Sequence, residues 1–243
     1  MRSLLSAEFL KLRTTKTMWG LLFAVVAITT LSVSASVAGV GNLDLESDEG
    51  IKAVLHVAGS GALFVLMLGI IVTAGEYRQR TAVDTFLTTP KRTRVLVSKL
   101  TASVSTGAAY GAVATVVAIV TATIAYRMKG LSLPLGNGLA WQILIGAVIY
   151  AALFGGLGAS IGSLIRNQIF AIIFAIAVMI IAEPMIFVLS PALGKWFPAA
   201  LGRSLVSDPG GDYVGPVLAG LLLFIYALAI MSIAALVESR RDA

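Results

Sequence analysis

LTASVSTGAAYGAVATVVAIVTATIAY, residues 100–126, runs for 27 positions without a charged side chain. A helix of that length rises about 40 Å, more than the roughly 30 Å hydrocarbon thickness of a bilayer. It lacks the period-two alternation of a barrel strand, so it reads as a membrane-spanning helix. The pattern repeats in both directions along the chain. Residues 17–43 and 53–75 carry no charge, and in 130–165 Pro134, Gly136 and Gly138 break the first part and leave a helix from about Leu139 to Leu164. Residues 167–194 carry one charge, Glu183, and 213–237 none. These gaps predict an all-α polytopic membrane protein with six transmembrane helices at about 17–40, 54–75, 100–126, 139–164, 168–190 and 214–237, in a single transmembrane domain over 1–243.

Composition agrees with this reading. Of the 243 residues 58% are hydrophobic and 12% charged, with mean hydropathy +0.95. A water-soluble chain carries about a quarter charged residues. There are no cysteines, which excludes disulfides, thiolate metal sites and a cysteine nucleophile. The net charge of +6 must be read by position along the chain, and no nucleic acid partner follows from it.

Six crossings put both termini on one side. Arg2, Lys11, Arg13 and Lys16, then Arg78, Arg80, Lys91, Arg92, Arg94 and Lys99, then Arg166, Arg240 and Arg241 place 13 of the 18 positive charges on that side. The other side holds Lys52, Arg127, Lys129, Lys195 and Arg203, beside acidic Asp44, Glu46, Asp48, Glu49, Asp208 and Asp212. The bias of Lys and Arg toward the cytoplasm predicts cytoplasmic termini, with Arg127 and Lys129 as a local exception. In residues 1–16, Met1, Leu5, Phe9 and Leu12 recur at helical spacing while Arg2, Glu8, Lys11 and Arg13 lie elsewhere on the wheel, which predicts an amphipathic interfacial helix. Ser34, Ala35 and Ala38 follow an apolar run as at a secretory cleavage site, but the run is too long for a signal peptide.

The loop over 76–99 is longer than a turn-around needs. Val83, Phe86 and Leu87 fall three and four apart, predicting a short amphipathic helix that ends near Pro90. Lys91, Arg92 and Arg94 suit lipid head groups, and a basic lipid-anchored loop is one reading. The other is a docking element that inserts apolar and aromatic side chains into a cytoplasmic partner.

With these pieces in view, the chain resembles the membrane subunits of type-2 ABC transporters, in particular small six-span bacterial permeases made apart from their ATPase. The resemblance rests on AEFLKLRTTK at 7–16, TAGEYRQRTAVDTFLTTPKRTRVLVSKL at 73–100, GLGASIGSLIRNQIFAI at 156–172 and KWFPAALGRSL at 195–205. It implies an N-terminal helix along the inner leaflet and a cytoplasmic coupling helix between spans two and three, in the 76–99 loop. Glu76, Tyr77, Arg78 and Thr81 would sit at the cytoplasmic gate, and Asp84, Thr85 and Phe86 near the ATPase. It further implies a bacterial plasma-membrane permease, paired with a second permease copy or homologue and with ATPase subunits that bind ATP and Mg, exporting an amphipathic or hydrophobic drug, lipid or peptide. An ion-driven secondary transporter and a non-transporting scaffold subunit are the alternatives, and the first is disfavoured by the scarcity of charge and of interrupted helices in the spans.

The chain itself carries no phosphate-cradling loop, since its one Gly-Lys step, Gly194-Lys195, is followed by Trp196. No enzymatic activity is therefore expected of it, nor a cofactor or metal of its own. Gly158-Ala159-Ser160-Ile161-Gly162 fits the nucleophile-elbow pattern, but it lies late in a span, roughly 20 to 30 Å across the bilayer from His56, the only histidine. Gly155, Gly158 and Gly162 read better as a small-residue face for close helix packing. Glu183 is the one acid inside a span and precedes Pro184; it either marks a structural break or lines a gate or pathway.

Overall fold

The computed structural model describes residues 8, 10–11, 15–40, 45–78 and 92–240, with side chains described throughout except at 76–78, 92–93 and 238–240. Among these residues the elements are α1 (Lys16–Gly39), α2 (Asp48–Leu55), a 3₁₀ segment (His56–Gly61), α3 (Ala62–Arg78), α4 (Arg92–Met128), α5 (Gly138–Leu164), α6 (Gln168–Ile176), a π segment (Ala177–Ala182), α7 (Glu183–Leu189), α8 (Pro191–Gly194), α9 (Pro198–Leu205) and α10 (Pro216–Arg240). Six helical stretches are long and apolar enough to cross a membrane: Lys16–Gly39, Asp48–Gly75, Arg94–Met128, Gly138–Leu164, Gln168–Leu189 and Pro216–Val237. The protein is an all-α, multi-pass membrane protein.

Local chemistry sets where these helices begin and end. Ser47 Oγ accepts from Gly50 N at 3.2 Å, and Asp48 and Glu49 occupy the first turn, so the second span enters at Asp48. Asn137 and Asn167 cap α5 and α6 in the same way, accepting from Leu139 N and Phe170 N. At the end of α4, Gly130 takes φ +75°, Leu131 N donates to Tyr126 O, and Gly130 N donates to Arg127 O. Those two bonds satisfy carbonyls that the helix end would otherwise leave open, and only glycine adopts that backbone without strain.

Spans two and four form the centre. In their most apolar windows 61% and 67% of residues are buried, against 17–28% for the other four spans. Glycine lets the central pair approach. A Cβ on Gly158 would overlap the Leu66 carbonyl of α3, and one on Gly69 the Gly155 carbonyl of α5. A Cβ on Gly155 would stand 2.5 Å from Ser103 O of α4, and one on Gly162 would run into Thr73 and Ile70. Lipid tails are as apolar as leucine, so helices in a bilayer are held by such close contact and by hydrogen bonds between spans. One of those bonds is made by Ser160, whose Oγ lies 2.8 Å from Ala227 O of α10 and 2.9 Å from Gly156 O.

The end of the bundle that bears the turn 128–138, here the distal end, is tied by polar side chains. Lys129 Nζ donates to Val37 O at 2.6 Å, in the last turn of α1 where the helix dipole favours a cation. Asn137 Nδ2 donates to Asp48 Oδ1 at 2.8 Å. Tyr126, fully buried, donates to Leu45 O at 2.9 Å. Tyr126→Phe should therefore cost about 1–2 kcal/mol by leaving a buried carbonyl short of a donor, and thermal unfolding in detergent should show a fall of a few degrees. An unchanged transition would mean that the carbonyl is satisfied elsewhere.

Two spans change helix type along their length, the fifth directly before the Glu183-Pro184 step already read as a candidate break. The second changes from α to 3₁₀ over His56–Gly61, where Gly59 packs against Tyr150 and Val206 and Gly61 against Val25. The fifth loosens to π over Ala177–Ala182. Hydropathy is blind to both, because the residues remain apolar or small.

Candidate functional site

At the cytoplasmic gate and coupling segment expected from the resemblance, Glu76, Tyr77 and Arg78 are helical and are the final described residues of α3. Thr81, Asp84, Thr85 and Phe86 lie outside the described residues, as do Met1, Leu5, Phe9 and Leu12 of the expected interfacial helix. Glu8 of the N-terminal segment is among the described residues. Glu8 Oε1 lies 3.3 Å from Lys11 Nζ and 3.8 Å from Lys99 Nζ, with the Glu8 and Lys99 side chains both buried. The contact joins Glu8 of the N-terminal segment to Lys99 near the start of span three.

The distal end holds the second candidate site. Pro184 has no N–H, and its ring would crowd the carbonyl of Ile180 four residues back. The helix accommodates it with a wider turn, in which Glu183 N donates to Val178 O five residues earlier. This places the Glu183 side chain inside the protein, 3% exposed, where Oε2 accepts from Ala199 N at 2.7 Å. Helix α9 needs that acceptor: Phe197 at its N-cap offers no side-chain bond, Pro198 has no N–H, and the next free donor is Ala199. A carboxylate from 16 residues earlier in the chain thus caps α9 and meets the positive end of its dipole.

The rest of α9 is sunk into the bundle. Gly202 lies against the ring of Tyr150, Gly146 lies against the Leu205 carbonyl, and the Ser204 hydroxyl donates to Val214 O. Leu201 and Leu205 join the core with Leu66, Phe154 and Leu223. Burial works against the Arg203 charge, but a hydrogen bond to Tyr213 and the negative charge of Asp208 outweigh it, and its pKa is raised. Tyr213 in turn stacks on Phe187, with centroids 5.3 Å apart. Arg203, Tyr150 and Tyr213 were not singled out by sequence reasoning. The available signal was the pairing of a lone basic residue with Gly202 in an otherwise apolar amphipathic helix.

Beside α9 a cleft of about 730 Å³ opens among α2, the first turn of α5 and residues 204–216, lined in part by Glu49, Lys52, Gln142, Asp208, Asp212 and Tyr213. The nucleophile-like Ser160 is fully buried on an unbroken helix, with its hydroxyl directed at two carbonyls. His56 Nδ1 lies 2.9 Å from Lys52 O, within its own helical turn. Neither side chain is placed to act on the other.

The arrangement combines a close-packed central pair, peripheral spans with apolar outer faces, a buried Glu8–Lys99 contact at one end and the Glu183 cap of α9 at the other. Comparison with curated proteins finds no match. Comparison with family models finds the ABC-2 family transporter protein model, matched over residues 4–183. That match takes in most of the N-terminal segment, residues 76–99 and the first five spans up to Glu183, and the chain belongs to the family of ABC-2 transporter proteins.

Proposed function

We propose that the chain is the permease half of an ATP-driven exporter in a bacterial plasma membrane, with both termini and the 76–99 segment in the cytoplasm and α9 at the outer face. Two permeases, this chain with a second copy or a homologue, flank the route, and separate ATPase subunits bind ATP and Mg. Closure of the ATPases pushes on Asp84, Thr85 and Phe86, and Glu76, Tyr77, Arg78 and Thr81 carry the displacement into span two. Span two packs glycine-to-backbone on span four, so the displacement reaches the centre of the bundle as a rigid shift. The observation that carries this reading is the family match over 4–183, joined to six membrane-crossing helices. The apolar spans favour an amphipathic or hydrophobic cargo such as a drug, lipid or peptide.

Purified alone, the chain should hydrolyse no ATP; joined in liposomes with its ATPase it should show hydrolysis that rises with cargo. ATP turnover by the isolated chain, persisting after contaminating ATPases are removed, would overturn the division of labour. One observation favours a second reading, an ion-driven transporter: spans two and five are both interrupted, as in secondary transporters. Uptake or efflux that follows an imposed ion gradient and ignores ATP would select it.

A further inference from the structure

Glu183 is only half used. Its Oε2 takes the Ala199 N–H, while its buried Oε1 has no hydrogen-bond partner among the described residues. Oε1 belongs to a residue lining a cavity of about 10 Å³ with Pro184, Phe187, Ala199, Ala200 and Arg203. A carboxylate retained purely as a structural cap gains most when both oxygens are satisfied, because an unpaired buried oxygen is costly. Arg203 lines the same cavity, and its charge acts on Glu183 across it without a hydrogen bond to Oε1. The contact with α9 therefore holds by one bond against a standing cost.

The same residue ends the π segment through its own N–H, bonded to Val178 O. A π turn contains one residue more than an α turn, and an α-helix advances about 100° per residue. If residues 177–183 return to α register, the Glu183 side chain swings by about that angle and leaves Ala199. We propose that Glu183 is a register-sensitive latch, clamping α9 into the distal end of the bundle while span five is π-bulged and releasing it when span five becomes α-helical. Pro184 keeps the bulge in place, because it withholds the N–H that α register would require. Release opens the end of the bundle where α9 lies between Tyr150 and α10. The inference rests on the proposed orientation only for the statement that this end faces outward.

The absence of native cysteine makes a direct test available. Ala200→Cys places a thiol on the buried face of α9, and Gly210→Cys provides an exposed control. Both are labelled with a membrane-impermeant maleimide on the full chain in membranes. With Glu183 and Pro184 intact, Ala200→Cys should react slowly and Gly210→Cys quickly. Glu183→Ala should speed the Ala200→Cys reaction roughly tenfold to a hundredfold, the ratio set by losing one hydrogen bond to a charged group, and Glu183→Gln, which keeps an acceptor, should lie between. Pro184→Ala should speed it too, although Glu183 is intact. Unchanged labelling in Glu183→Ala overturns the latch; unchanged labelling in Pro184→Ala overturns its dependence on register. Should Glu183→Ala fail to accumulate, hydrogen exchange at the Ala199 amide decides. A first-turn amide has no acceptor within its own helix, so the wild-type chain should protect it and Pro184→Ala should lose that protection; fast exchange in the wild type overturns the latch. If Gly210→Cys reacts only with a permeant maleimide, the orientation is wrong and the latch is read with the permeant reagent.

Discussion

Gly158→Val should remove the folded protein from detergent extracts. The new Cβ would meet the Leu66 carbonyl, which belongs to the backbone of α3 and cannot turn aside as a side chain can. Spans two and four would have to separate, and the core around Leu66, Ile70, Phe154 and Leu157 would lose its contacts with them. Overpacking of this kind costs about 3 kcal/mol or more when the neighbour is backbone. Gly20→Ala is the matched control: a Cβ there meets nothing within 4 Å, and alanine is the better helix former by up to about 1 kcal/mol. Size-exclusion recovery and thermal transitions should therefore move in opposite directions for the two variants. A Gly158→Val protein as monodisperse and heat-resistant as the parent would refute the close packing of the central pair.

Phe86→Ala should weaken assembly with the ATPase by roughly thirtyfold, the equivalent of about 2 kcal/mol for an aromatic anchor seated in a partner's pocket. Membrane insertion and the thermal transition of the isolated chain should stay at the parent's values, since the residue would serve a contact made only in the complex. The Glu8–Lys99 contact, made within the chain, gives a comparison. Removing it with Lys99→Met leaves a buried carboxylate and should be felt in the isolated chain as well. Phe86→Ala that copurifies with its ATPase as fully as the parent would place the side chain in lipid or against its own bundle.

The number and approximate position of the spans were legible because charge is excluded from a bilayer and the gaps between charged residues are long. The residues that position the distal site were not, for a physical reason. Tyr150, Gly202 and Arg203 are separated in sequence and meet only because α9 folds back into the bundle; no periodicity encodes a contact between an isolated ring and a distant glycine. Glu183 illustrates the difference between a signal and its meaning. Its cost inside an apolar span marked it as unusual, and its partner is an amide of a short helix that hydropathy treats as a loop. The 3₁₀ segment was hidden in the same way, since it alters hydrogen-bond register without altering polarity, whereas the π segment lies directly before the Pro184 step that signalled a break.

The glycine contacts between α3 and α5 join parts of the chain that are made at different times. When span two leaves the insertion machinery, Gly69 and the Leu66 carbonyl face lipid, and the surface shaped to receive them lies in residues 155–162, still to be synthesised. Span three must be inserted first, and it is α4 that meets α5 along Gly107 and Gly111. Until span four is made, the α3 surface around Gly69 and the α4 surface around Gly107 and Gly111 both lack the helix they pack on.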